Sequence, residues 1–264
     1  MITLEEAAES SFFNLLLKGS PHLLPNYQAV DLTHPAWKAD VPEGTTVLAL
    51  KYDAGAVVAG DRMAVEGFHV SDRRIEKVYA IDDSTVLAIA GAAGPCIELV
   101  KLFKTELEHY EKIEGVSLSL EGKANKLSQM IRANFPMAAQ GLVVIPLFVG
   151  YEAGAGTGRI YKYDVTGGRY EEISYHAIGS GGRDAKNTLK KLYKDGLPKD
   201  DAVRYALEAL FDASEEDLGT GGPDFFRGIF PTVKVLSAKG ISDFPETQIR
   251  ETYSAILQGK EGRA

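Results

Sequence analysis

At 264 residues, 45% hydrophobic and 25% charged, the chain has the composition of an ordinary globular protein, with enough apolar sequence for one large domain or two small ones. A net charge of −8, a pI near 5.3 and the lack of any basic run exclude nucleic acid as the main partner. The single cysteine, Cys96, excludes an intrachain disulfide framework and suits a reducing cytoplasm. The longest apolar run, Leu142 to Val149, is strand-sized rather than membrane-spanning, and Met1 to Glu6 carries no positive charge of a secretory signal.

Residues 1–44 read as a leader. Thr3 to Leu17 fits a helix, with Thr3-x-x-Glu6 as a capping box and Ala7, Phe12, Leu15 and Leu16 on a loose apolar face. Gly19, Pro21, Pro25, Pro35 and Pro42 then break regular structure, while Phe12, Phe13, Tyr27 and Trp37 point to a segment that docks on a surface. From Thr45 the periodicity becomes that of strands. Thr46 to Tyr52 and Ala56 to Gly60 flank the turn Asp53-Ala54-Gly55. Val65 to Ser71, Lys77 to Ile81 and Ser84 to Ala90 read as further strands, the last stopped by Gly91-Ala92-Ala93-Gly94.

Two helices follow. One begins near Pro95 and repeats Ile97, Val100, Phe103, Leu107 and Tyr110 on one face; the other runs from Glu121 to Asn134. Leu142 to Tyr151, Arg159 to Tyr163 and Tyr170 to Ala177 are strand-like, and Arg183 to Lys194 and Lys199 to Ala213 form a second helix pair. Ile229 to Leu236 is a last strand, and Glu246 to Leu257 a last amphipathic helix. Short connections within each strand group predict antiparallel pairing. The fold expected from this order is α+β: two sheets face to face with a helix pair on each outer side, a four-layer αββα sandwich.

The abrupt change at Gly44-Thr45 frames the chemistry. A chain cut there would begin with Thr45, which then offers a hydroxyl nucleophile and a free α-amine, of pKa about 8, to activate it. Gly44 tolerates the strained turn in which the Thr hydroxyl meets the preceding carbonyl. Alone, Gly-Thr-Thr is a common string in a strand. Asp61 at a strand end and Lys77 near a strand start would supply a charged pair that lowers the pKa of both hydroxyl and amine, although Lys77 also lies in a polar run that reads as surface. Gly91 ends a strand where its N–H can serve an oxyanion, or simply turn the chain. Ser180 and Asp217 sit in glycine-rich turns where each can hydrogen-bond a terminal amine or cap a helix. The glycine-rich stretches lack the Lys-Ser/Thr of a phosphate loop, the five histidines show no metal-ligand spacing, and Cys96 reads as a buried structural thiol.

Taken together these residues resemble a β-subunit of the 20S proteasome, of the bacterial (actinobacterial) type, over nearly the whole chain. Ser10 to Leu16 and Pro21 to Pro25 are similar to the leader of those subunits. Gly44-Thr45-Thr46-Val47 matches the family's processing site, and Gly60-Asp61-Arg62, Lys77, Gly91, Gly179-Ser180-Gly181 and Asp217-x-x-Thr220-Gly221-Gly222 follow in the family's register. The resemblance implies an N-terminal-nucleophile hydrolase fold, with residues 1–44 a propeptide removed on maturation and 45–264 the catalytic domain. It implies a threonine endopeptidase in which Thr45 is nucleophile and base, Asp61 and Lys77 are the charged pair, Gly91 is the oxyanion donor, and Ser180 and Asp217 orient the amine and a bridging water.

Ala64, Val65, Ile75, Ile89, Ala93 and Ile97 fall at substrate-binding positions, which implies cleavage after apolar residues. At Val65 the family often has Thr, and Thr220 replaces the commoner Ser. No metal or other cofactor is implied. The implied partners are proteasome α-subunits, further copies of the chain in seven-membered rings, a ring-shaped AAA ATPase acting through the α-ring, and unfolded or tagged cytoplasmic proteins. Three other readings share the fold: the simpler two-ring bacterial peptidase, a non-catalytic scaffold subunit, and an amide hydrolase of the same class acting on a small molecule.

Overall fold

In the computed structural model, which describes residues 11–24 and 44–261, strand β1 (Thr46–Tyr52) is buried along nearly its whole length. Its side chains alternate between two cores, as a period of two dictates. Val47 and Ala49 face a second sheet, while Leu48, Leu50 and Tyr52 face helices on the other side. Strand β2 (Gly55–Gly60) divides in the same way, Ala56 and Val58 inward, Val57 and Ala59 outward. A strand apolar on both faces belongs to a sheet covered on both faces.

Both main sheets are antiparallel and five-stranded. In the first, β1 lies between β2 and β10 (Tyr175–Gly179), and β2 in turn pairs with β11 (Thr232–Ser237), which pairs with β12 (Gly240–Asp243). The second runs in sequence order: β5 (Val78–Ala80), β6 (Thr85–Gly91), β7 (Val144–Glu152), β8 (Thr157–Tyr163) and β9 (Arg169–Glu172). Between the sheets lies a dry layer of small and branched residues that includes Val47, Val58, Val86, Ala88, Leu147 and Ile160. The second sheet's outer face packs Leu87, Ile89, Phe148 and Tyr161 against α2 (Ala93–Glu114) and α3 (Leu120–Ala133), with Phe103 edge-on to Phe148.

The first sheet's outer face is covered by three helices rather than the expected pair: α4 (Gly182–Leu192), α5 (Lys199–Glu216) and α6 (Glu246–Glu261), the last through Ile249, Tyr253 and Ile256. The four layers are helices, sheet, sheet and helices, the α+β sandwich expected.

Several boundaries differ from the sequence reading for identifiable reasons. The expected strand Tyr170 to Ala177 is two strands, β9 and β10, in different sheets. The chain crosses between sheets at Ile173, which is 84% exposed, and an alternating pattern carries no mark of where its pairing partner changes. Val65 to Ser71 is a hairpin, β3 (Ala64–Glu66) and β4 (His69–Asp72), turned at Gly67 with φ +57°. The last predicted strand starts at Thr232 instead of Ile229, because Pro231 has no N–H to give a ladder. Strand β12 was not expected at all.

Near the N-terminus, helix α1 (Phe12–Gly19) begins at Ser11, whose side chain accepts the Asn14 N–H at 3.2 Å. The capping box at Thr3 and Glu6 and the residues Tyr27 and Trp37 lie outside the described residues. Helix α1 rests on the α2–α3 layer. Phe13 N–H donates to the buried carboxylate of Glu106 at 2.6 Å, and Lys126 bridges Glu106 (2.8 Å) and Ser11 Oγ (3.2 Å).

Candidate active site

Strand β2 delivers Asp61 just beyond its end, and Lys77 precedes β5, so the pair is set by two strands from different sheets. Asp61 is 1% exposed and Lys77 4%. A carboxylate taken that far from water needs donors. Asp61 has four: Oδ1 accepts from Lys77 Nζ (2.7 Å) and Thr46 N–H (2.8 Å), and Oδ2 from Met63 N–H and Gly221 N–H (both 2.9 Å). Lys77 uses all three ammonium protons, on Asp61, on the Met63 carbonyl at 2.5 Å and on the Gly44 carbonyl at 3.0 Å. Burial holds the Lys77 pKa below the usual lysine value; the negative charge of Asp61, and more weakly that of Asp217, opposes this.

The Gly44 carbonyl is the focus. Besides Lys77 it accepts the Thr45 hydroxyl at 2.7 Å, so hydroxyl and ammonium meet on one peptide oxygen. Gly44 has φ +89°, and a Cβ there would lie 2.7 Å from Val65 Cγ2 and 2.8 Å from the Gly219 carbonyl. Both the backbone angle and the space require glycine. On the other side of Thr45, its N–H points to Ser180 Oγ at 3.4 Å, and Ser180 donates to Asp217 Oδ2 at 2.6 Å. Asp217 also accepts from Thr220 Oγ1 at 2.5 Å.

Gly91 lies on the same cleft as Gly44 and Thr45. Its φ of +123° and the Val143 carbonyl, only 2.0 Å from where a Cβ would stand, make glycine obligatory for the end of β6 irrespective of chemistry. The cleft opens into a small cavity that Ala64, Ile75, Ile89, Ala93 and Ile97 line together with Glu76, Tyr79 and Cys96. Val65 is the exception among the expected substrate-binding positions: it does not line this cavity, and its methyl packs beside Gly44 instead. Burial pushes the Cys96 thiol up to about 12, which keeps it protonated and unreactive at neutral pH.

The structure thus brings Thr45, Asp61, Lys77, Ser180 and Asp217 into one connected set, with Gly91 across the cleft. Three participants were not singled out from sequence. The Met63 carbonyl has no side-chain signature. Glu76 is held by the Lys77 and Val78 N–H groups and looked like surface in a charged run. Thr46 reads as a β-former, and the signal the sequence does offer for it is a second hydroxyl next to the candidate Thr45. Among the described residues no group of three or more His, Cys, Asp or Glu is placed to hold a metal ion, and no helix is long and apolar enough to cross a membrane.

Comparison with known proteins places the chain in a family. A family model described as "Proteasome subunit" matches residues 41–224. Among curated proteins, "Proteasome subunit beta" of Acidimicrobium ferrooxidans is 54% identical over 225 residues, covering 85% of this chain and 82% of that one. "Proteasome subunit beta" of Acidothermus cellulolyticus is 50% identical over 255 residues (95% and 87%), and that of Frankia casuarinae 45% over 248 residues (94% and 89%). The Acidothermus alignment is longer than the stretch from Thr45 to the C-terminus, so the likeness reaches well into residues 1–44. The chain therefore belongs to the proteasome subunit family, among its β-subunits.

Proposed function

We propose that this β-subunit is made as a zymogen, cuts itself between Gly44 and Thr45, and then serves as a threonine endopeptidase with Thr45 as nucleophile. The observation that carries the reading is the convergence of the Thr45 hydroxyl and the Lys77 ammonium on the Gly44 carbonyl. The ammonium draws electron density from that carbonyl. Thr45 Oγ1 adds to the Gly44 carbon through a five-membered ring, and the oxyanion is held by Lys77 and the Gly91 N–H. The hydroxyl proton passes to the departing nitrogen as the C–N bond breaks. This leaves Gly44 esterified to Thr45 and the α-amine free. Water hydrolyses the ester and releases residues 1–44.

In the mature chain the same groups act on an incoming peptide. The α-amine, oriented by Ser180 and Asp217, takes the hydroxyl proton; Thr45 forms an acyl-ester with the substrate, and water completes the turnover. The buried charge of Lys77 keeps the amine and hydroxyl pKa values low, and Asp61 keeps Lys77 in place. The apolar lining of Ala64, Ile75, Ile89, Ala93 and Ile97 favours cleavage after apolar residues.

The particle built on this chain pairs seven-membered β-rings with α-rings and receives unfolded proteins from an AAA ATPase in the cytoplasm. N-terminal sequencing after co-expression with a partner α-subunit tests the reading. The expected start is Thr45 in the assembled particle, and Thr45→Ala is expected to retain Met1 and to abolish peptide hydrolysis. A particle that keeps Met1 yet hydrolyses peptides would overturn it.

A further inference from the structure

Among the described residues, the proposed catalytic set leaves the buried hydroxyls of Thr46 and Thr220 beside it without a role. Thr46 is fully buried at the start of β1. Its side chain points to the helix side of the sheet, where the equivalent positions Leu48 and Leu50 are apolar. A valine would fill that space with the same shape. The hydroxyl instead accepts the Gly181 N–H at 3.0 Å and lies 2.6 Å from Thr220 Oγ1.

Proton bookkeeping fixes the direction of these bonds. Thr220 Oγ1 is 2.5 Å from Asp217 Oδ2, and an ionised carboxylate only accepts, so the single Thr220 proton goes there. Thr220 then has only lone pairs to offer Thr46, and the Thr46 proton must point at Thr220. Ser180 spends its own proton on the same Asp217 oxygen at 2.6 Å. Its remaining lone pairs face the Thr45 nitrogen. The result is a one-way series from the Gly181 N–H through the Thr46 and Thr220 hydroxyls to Asp217, where it meets the Ser180 hydroxyl. Gly181 adjoins Ser180, so the series closes on the residue that holds the Thr45 nitrogen.

We propose that Thr46 is a positioning residue for this reaction: its hydroxyl orients Thr220 and Asp217, and through them the Ser180 lone pair that aims the Thr45 amine. The inference rests on Thr45 being the nucleophile. Thr46 is not among the residues lining the cleft, and among the described residues its hydroxyl bonds only Gly181 and Thr220, so it acts through others. Thr46→Val keeps the branched shape while leaving the Gly181 N–H unpaired and Thr220 without a donor.

The test uses full-length chain co-expressed with a partner α-subunit, with fluorogenic peptide as substrate. Thr46→Val is expected to lower kcat about tenfold with KM unchanged, the signature of lost transition-state alignment without lost binding. Thr46→Ser, which keeps the hydroxyl and removes only a methyl, is expected to restore kcat to within about twofold of wild type. Wild-type kcat in Thr46→Val would overturn the proposal. So would a Thr46→Ser variant as slow as Thr46→Val, since shape and not the hydroxyl would then matter. A Thr45→Ala chain that retained activity would instead remove the reading beneath it, so the two failures are separate.

Discussion

Lys77 is an ammonium held almost wholly out of water by three acceptors, one of them the bond proposed for cleavage. Its burial has a consequence that does not depend on catalysis. A lysine whose folded pKa lies below its unfolded value of 10.5 gives up its proton earlier in the folded chain. Between those two pKa values the unfolded chain binds more protons, so this group's contribution to stability rises with pH. Below the folded pKa both states carry the proton and the cost of burying the charge is felt in full. Lys77→Met is therefore expected to remove a stability gain that wild type shows as pH climbs above the lowered folded pKa toward the unfolded value of 10.5. Urea midpoints of the two proteins, compared pH by pH, would show it; parallel curves would mean that Lys77 keeps its ordinary pKa in the folded chain.

At the scale of elements, helix α1 shows how a short segment is placed by a few contacts. Helix α1 has eight residues, too few to be stable alone, and none of them is buried. What holds it is its start: Ser11 caps it, and the Glu106 carboxylate takes the Phe13 N–H at the positive end of the helix dipole. Glu106 is fully buried and neutralised by Lys126. Glu106→Ala is expected to loosen α1 and to speed trypsin cleavage at Lys18 several-fold relative to sites in the sandwich. Cleavage at the wild-type rate would mean that the apolar contacts of Phe12, Phe13 and Leu16 hold α1 without the carboxylate.

For the whole molecule, the layer between the sheets decides stability. Leu147 lies there, wholly buried between β6 and β8 neighbours. Leu147→Ala would open a cavity that the two rigid sheets cannot close, at a cost of about 2–5 kcal/mol. Denaturant titration should show a lower midpoint with little change of slope; a loss below about 1 kcal/mol would mean that the sheets slide to fill the space. The same layer fixes the site. Asp61 leaves the first sheet and Lys77 enters the second, so a shift between sheets would pull the ion pair off Gly44.

The strands, the long helices and their order were legible in the amino-acid sequence because periodicity is local: Thr46–Tyr52 was read to the residue, and α2 and α3 to within two residues at the ends near Pro95 and Glu121. The αββα layering followed from the order of strand groups and helix pairs and the short connections within each strand group, and the family from motifs spaced along some 180 residues between Gly44 and Gly222. Only tertiary structure decided which strands share a sheet, where β9 hands over to β10, and that a third helix covers the first sheet. It alone also decided what surrounds Gly44. Thr46 and Thr220 stand 174 residues apart and meet on the helix side of the first sheet, and Lys77 finds a main-chain carbonyl at Met63 where the two sheets meet; neither contact leaves a trace in the local pattern of the chain.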